Sequence, residues 1–126
     1  MVEPAWPQSV TDGVKAALHG RNILHFRGPP EFSKSETTYV TAAAQAVRSA
    51  VVARPTSTDD VSVLLKALRQ HLPTDVPIAV RGAGHATYGG MAKAALGVTI
   101  DIRGVRGVEV LPDERHARIG AGEHWR

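Results

Sequence analysis

The 126-residue sequence contains no cysteine. Disulfide bridges and thiolate metal sites are therefore excluded. Aromatic residues make up only 5% of the chain, too few for a platform that stacks nucleic-acid bases. The net charge is +3, but the basic residues are scattered among acids and form no block. That excess reads as a solvated surface rather than a nucleic-acid footprint. No apolar run approaches the roughly 20 residues of a membrane span. Residues 1–8 lack a basic start followed by an apolar core, so no signal peptide is expected. The default expectation is a cytoplasmic protein with neither nucleic acid nor membrane as a partner. A hydrophobic content of 43% against 21% charged residues places the chain among globular proteins, with enough length for one domain and a modest core.

Residues 1–9, with Pro4 and Pro7, read as a loose lead-in. Val10, Val14, Ala17 and Leu18 recur at helical spacing, and Gly20 is placed to end that helix. Residues 23–26 suit a short strand, and Gly28-Pro29-Pro30 breaks regular structure. Further on, Tyr39, Ala42, Ala43, Ala46 and Val47 could face a core along a weak helix. Residues 50–53 read as a buried strand. The clearest helix follows: Ser57 caps it, Asp60 completes a capping box, and Val61, Leu64, Leu65, Leu68 and Leu72 form one apolar stripe. Pro73 stops it, and residues 76–80 return as a strand. Strand, helix, strand is a βαβ unit with a right-handed crossover. Residues 98–102 form another strand, and residues 107–111 and 116–120 pair as a hairpin about Pro112-Asp113-Glu114.

The chain is organised around residues 80–90. Four glycines stand among nine residues there, at Gly82, Gly84, Gly89 and Gly90. Glycine admits positive φ and close approach of another molecule. Consecutive N–H groups in such a loop can form an anion-binding nest. Arg81 adds a positive charge at its entrance. His85 could act as base, metal ligand or covalent nucleophile. A tight turn with one solvent-exposed histidine explains the same residues. A metal site from His85, His116 and His124 lacks both H-x-x-x-H spacing and clustered carboxylates, so no metal is expected. His19, His25 and His71 read as surface residues, Asp101 as a strand-end hydrogen-bond partner, and Trp125 as a core or interface anchor.

An ordered series of short motifs carries a family resemblance. It runs Arg54-Pro55, Ser57-Thr58-Asp59-Asp60-Val61, Pro77-Ile78-Ala79-Val80-Arg81-Gly82-Ala83-Gly84-His85, Val98-Thr99-Ile100-Asp101-Ile102, then Ile119-Gly120-Ala121-Gly122 with Trp125. Leu18-His19-Gly20 and Tyr39 with its alanines fit the lead-in. The series resembles the N-terminal half of the PCMH-type FAD-binding domain of vanillyl-alcohol oxidase and berberine bridge enzyme-like FAD-linked oxidoreductases. The resemblance spans nearly the whole chain.

It implies an α/β (α+β) fold: a small, mainly parallel βαβ sheet plus the start of an antiparallel lobe. Residues 1–49 would be a lead-in segment. Residues 50–126 would be the N-terminal part of the FAD-binding domain, incomplete at its C-terminus. The implied cofactor is FAD, bound by Arg81, Gly82, Ala83, Gly84, His85, Ala86, Tyr88, Gly89 and Gly90. The family histidine matching His85 often carries the flavin covalently at its 8α carbon. Ala83 departs from the family's usual glycine and tolerates only negative φ comfortably. The implied reaction is oxidation of an alcohol, sugar or similar C–H substrate by hydride transfer to flavin. The second half of the flavin site, the small-molecule substrate domain and the catalytic base belong to a region of the family beyond this sequence. No catalytic residue is expected here, and whether the chain alone is an enzyme stays open. The alternative is a non-catalytic half-domain that binds a nucleotide or a partner. Either way, faces including Trp125 and the sheet after Ile100 would leave an apolar patch that drives association.

Overall fold

The computed structural model describes residues 6–26 and 30–124. Its elements, in chain order, are α1 (Gln8–Ala17), β1 (Leu24–Phe26), α2 (Pro30–Glu36), α3 (Ala42–Ala46), β2 (Val51–Ala53), α4 (Thr58–His71), β3 (Ile78–Arg81), β4 (Val98–Asp101), a 3₁₀ turn (Ile102–Gly104), β5 (Val108–Val110) and β6 (Ala117–Ile119). Trp125 and the Gly28-Pro29 break lie outside the described residues.

The strongest local signal, the Ser57 cap, sets α4. The Ser57 side chain accepts from the Asp60 N–H at 3.0 Å, satisfying one of the helix's orphan donors. The reciprocal half of the expected capping box goes elsewhere. Asp60 Oδ2 accepts from both the N–H and the hydroxyl of Thr56. Its other oxygen meets Arg21 at 2.7 Å. Arg21 thus ties the end of α1 to the start of α4, with Asp59 as a second partner at 2.8 Å. Leu64, Ala67 and Leu68 bury the inner face of α4, whereas Leu65 stays 47% exposed. The buried stripe is therefore narrower than the leucine pattern suggests.

Four strands form one sheet in the order β1-β2-β4-β3, and β5 and β6 form a separate antiparallel pair. β1 runs antiparallel to β2, while β2, β4 and β3 are mutually parallel. The sheet is mainly parallel, as the resemblance implies. Its βαβ unit differs in one respect: β4 inserts between β2 and β3. The all-buried sequence Val98-Thr99-Ile100-Asp101 of β4 explains this, because a strand covered on both faces belongs at the centre of a parallel sheet. β3 takes the edge, where Ile78 and Val80 are about half exposed.

Val51, Ala53, Val98 and Ile100 face α1 and α4, where Val14, Leu18, Leu64 and Leu68 complete the apolar core. The opposite face is more polar. Ser49 and Thr99 share a buried hydroxyl–hydroxyl hydrogen bond of 2.6 Å, and α2 with Tyr39 covers that side. Of the expected weak helix only the short α3 forms, and α2, which precedes it, was not expected. In α3 it is Ala44 that is buried, while Ala42, Ala43 and Ala46 are exposed. Tyr39 is buried just before it.

Candidate functional site

Open α/β sheets place ligands at the carboxyl ends of their parallel strands. Here that edge is formed by the ends of β2, β4 and β3. Register pairs Ala53 with Ile100, and Ile100 with Val80. The ends of β2 and β3 are therefore two strand spacings apart, roughly 10 Å. The glycine loop, residues 81–90, leaves the end of β3.

The loop is tied down through its carbonyls. Arg81 Nε donates to Gly82 O at 3.1 Å. The Val40 N–H donates to Gly84 O at 3.0 Å. The Thr41 hydroxyl donates to Thr87 O at 3.3 Å. Among the described residues, no backbone N–H from Ala83 to Thr87 donates a hydrogen bond. The carbonyls are thus engaged with protein and the donors are left over. Most of these residues are exposed, so their donors are free to meet water or a ligand, and a run of spare donors in a glycine loop suits an anion. Gly84 takes φ +83°, and a Cβ there would stand 2.4 Å from Arg81 Nη2 and 2.8 Å from Thr38 O. At Gly82 a Cβ would meet nothing within 4 Å, so that backbone is open to an incoming molecule. Ala83 adopts no positive φ, so its methyl group fits where the family favours glycine. On these observations the residues present fit the pyrophosphate of FAD.

Arg81 differs from expectation. Its guanidinium is fully buried and turned away from the open side. It donates to Ser35 O and to the Thr38 hydroxyl, both at 2.8 Å, and to Thr38 O at 3.3 Å. Burial pulls its pKa down, with the nearby Arg103 charge adding to the effect. His85, Tyr88, Gly89 and Gly90 are exposed, and Ala86 is half-buried. The His85 ring makes no side-chain hydrogen bond or ion pair among the described residues.

Beneath the loop lies a charged layer that the sequence reading did not assign. Lys93 is 1% exposed and Glu36 2%. Lys93 Nζ stands 3.2 Å from Glu36 Oε2, yet it donates to the backbone carbonyls of Glu36 and Gln45. Neither Glu36 carboxylate oxygen accepts a hydrogen bond among the described residues. Burial lowers the Lys93 pKa, opposed by the Glu36 charge. The Tyr39 ring meets both Lys93 and Arg81, and burial pushes its hydroxyl up to about 12. The available signal was a lone lysine in the otherwise small and apolar residues 91–97.

At the end of β4, Asp101 is a strand-end partner, as expected. It accepts from Arg103 Nε at 2.8 Å and Nη2 at 2.5 Å, with Arg54 3.8 Å away. Burial alone would raise its pKa, but the Arg103 hydrogen bonds and charge hold it below the usual carboxylate range. Beyond the end of β2 is a cleft of about 580 Å³ between Thr56-Ser57-Thr58 and the hairpin, with Arg106 and Arg118 on its wall. The glycine loop does not line it. Cleft and loop occupy neighbouring stretches of one sheet edge.

Sequence comparison finds an FAD-dependent monooxygenase of Fusarium proliferatum that is 35% identical over 81 residues, covering 64% of this chain and 15% of the relative. Another, from Aspergillus calidoustus, is 29% identical over 99 residues, covering 78% and 19%. The chain therefore spans less than a fifth of the length of these curated relatives. Among solved structures, berberine bridge enzyme from Eschscholzia californica superposes with a TM-score of 0.67 at 15% identity, over 86% of this chain and 23% of the enzyme. That likeness establishes the fold. The profile of the FAD binding domain family matches residues 49–126, a span that holds the three parallel strands, the glycine loop and the hairpin. By that match and by its fold, the chain belongs to the PCMH-type FAD-binding domain family.

Proposed function

We propose that this chain forms the pyrophosphate-binding portion of an FAD-linked oxidoreductase. The observation that carries the reading is the set of unspent N–H groups from Ala83 to Thr87, in a loop whose carbonyls at Gly82, Gly84 and Thr87 are held by protein donors. Those N–H groups and the open face of Gly82 bind the pyrophosphate. Gly89 and Gly90 let the loop return without side-chain bulk, and the exposed Tyr88 and the half-buried Ala86 flank the ligand. Arg81 contributes through its backbone and its buried charge. An extended dinucleotide laid along the sheet edge reaches from the loop toward the cleft beside Thr56 and Arg106.

When bound, FAD supplies the hydride acceptor for oxidising an alcohol, sugar or similar C–H substrate. The two curated relatives are FAD-dependent monooxygenases by name, which supports flavin redox chemistry. The substrate and the catalytic base are assigned to parts of a longer protein. Its exposure, with no hydrogen-bond or ion-pair partner among the described residues, supports His85 as the side chain that carries a covalent link to the flavin.

The test is the absorbance of purified protein at about 450 nm, where bound flavin is yellow. Acid precipitation then separates covalent from released flavin. His85→Ala should move any covalent flavin to the supernatant while binding through the loop backbone survives. Flavin that stays in the pellet of His85→Ala places the link elsewhere. Colourless protein that takes up no added FAD overturns the reading and leaves a half-domain that binds a partner, for which the exposed Val108, Val110 and Ile119 of the hairpin offer a surface.

A further inference from the structure

The side chain of Tyr39 touches the two ends of the glycine loop at once. Arg81, where the loop begins, places Cζ 4.2 Å from the ring centroid. Lys93, just past the loop's return, places Nζ 4.7 Å from the same centroid. The hydroxyl donates to Ala92 O at 2.8 Å. The ring is 4% exposed, and both cations are buried. Two cations that close would repel each other in a medium of low dielectric. An aromatic ring presents negative potential on its faces, and its attraction for cations grows when they are desolvated. The backbone on either side of Tyr39 completes the link. Thr38 O accepts from Arg81, and the Val40 N–H donates to Gly84 O.

We propose that Tyr39 is a positioning residue for FAD binding: its ring pins both ends of the glycine loop through Arg81 and Lys93, and so keeps the spare N–H groups of residues 83–87 aimed at the ligand. The inference rests on the reading of that loop as the FAD site. It predicts that ring faces matter and that the hydroxyl matters little.

The experiment compares Tyr39→Phe, Tyr39→Leu and Leu68→Ala in the full chain. Leu68 lies in the apolar core between the sheet and α4, so its truncation lowers stability without touching the loop. Two quantities are read: the FAD dissociation constant by flavin fluorescence, well below each variant's melting temperature, and hydrogen exchange at the Val40 and Met91 amides. These amides donate to Gly84 O and Tyr88 O. Tyr39→Phe should bind FAD within about threefold of the unaltered chain, and Tyr39→Leu should bind at least about tenfold more weakly. In Tyr39→Leu the two amides should exchange about tenfold faster or more, relative to the core amides of β4. Leu68→Ala should keep its FAD affinity despite lower melting.

Equal weakening in Tyr39→Leu and Leu68→Ala would reduce Tyr39 to a core residue and overturn the proposal. Equal weakening in Tyr39→Phe and Tyr39→Leu would assign the effect to the hydroxyl and overturn it too. Should Tyr39→Leu not fold, Lys93→Met removes one cation while keeping its stem. Weaker FAD binding with faster exchange supports the clamp, and unchanged values refute it. If the unaltered chain takes up no FAD, the FAD reading fails, and exchange at Val40 and Met91 alone decides whether Tyr39 holds the loop.

Discussion

Replacing Gly84 with alanine should be the most damaging single-methyl change in the glycine loop. Gly84 has φ +83°, and an L-residue in that region costs about 1–2 kcal/mol. The new Cβ would also lie 2.4 Å from Arg81 Nη2 and 2.8 Å from Thr38 O. Thr38 O is backbone and cannot step aside. The guanidinium can move only by giving up its hydrogen bond to that carbonyl, and bonds to a charged donor are worth about 1.5–3 kcal/mol each. Together these give a loss of about 3–5 kcal/mol. Two other glycines separate the contributions. Gly90 has φ +81° with open space around its Cβ position, so Gly90→Ala should lose only the backbone term, about 1–2 kcal/mol. Gly82 has neither a positive φ nor a neighbour within 4 Å, so Gly82→Ala should stay within about 0.5 kcal/mol while weakening FAD binding, because its methyl enters the face left for the ligand. Urea titrations at constant m-value read all three. A Gly84→Ala loss no larger than that of Gly90→Ala would show that the contact with Arg81 and Thr38 does not hold the loop.

Ser57→Ala should cost about 1 kcal/mol by removing the α4 cap, measured as a shift in the urea midpoint; no shift would mean that Asp60 and Thr56 alone secure that helix end. Tyr39, pushed up to about 12 by burial, keeps its proton in the folded state, so its contribution is complete below pH ~10 and declines as pH rises from 10 to 12, by roughly 2–3 kcal/mol in all. Tyr39→Phe should lack that part of the alkaline decline in urea midpoints between pH 10 and 12, and an identical slope would refute the assignment. Val108 and Val110 are each 67% exposed on the hairpin, and Val108→Thr with Val110→Thr should reduce concentration-dependent light scattering of the isolated chain; equal scattering would place the sticky surface elsewhere.

The parts that were legible in the sequence are those with local causes. The Ser57 cap, the β5–β6 hairpin and the positive φ at Gly84 follow from side-chain chemistry within a few residues. The order of the strands does not. Nothing local says that β4 enters between β2 and β3, since the pairing of Val80 with Ile100 joins residues across the whole glycine loop. The face of α3 differs from expectation because its apolar positions are all alanine, and only tertiary packing selects Ala44. α2 was missed because Ser33, Lys34 and Ser35 give no apolar period. Its inner side is set instead by Phe32, Ser35 and Glu36. Lys93 was hidden for a related reason: its partners Glu36, Gln45 and Tyr39 lie about fifty residues away, and no spacing rule connects them.

Those distant partners give the site its electrostatic character. Arg54, Arg81, Lys93 and Arg103 gather near the carboxyl edge of the parallel strands, while Glu36 and Asp101 are the carboxylates paired among them. Arg81 has no carboxylate within ion-pair distance among the described residues. It is satisfied by carbonyls, a hydroxyl and a ring face, which neutralise its hydrogen-bonding needs but not its charge. Cations therefore outnumber carboxylates in a layer partly shielded from water, where fields are screened less than at the surface. The loop lies directly above that layer with its donors unspent. A pyrophosphate bound there would meet the N–H groups directly and the buried charge through space. On the proposed reading, the first interaction would fix position, and the second would add attraction without presenting a flexible cation to the ligand. Under that proposal, Arg81 would serve the ligand from within the glycine motif while its guanidinium faces away from the open side.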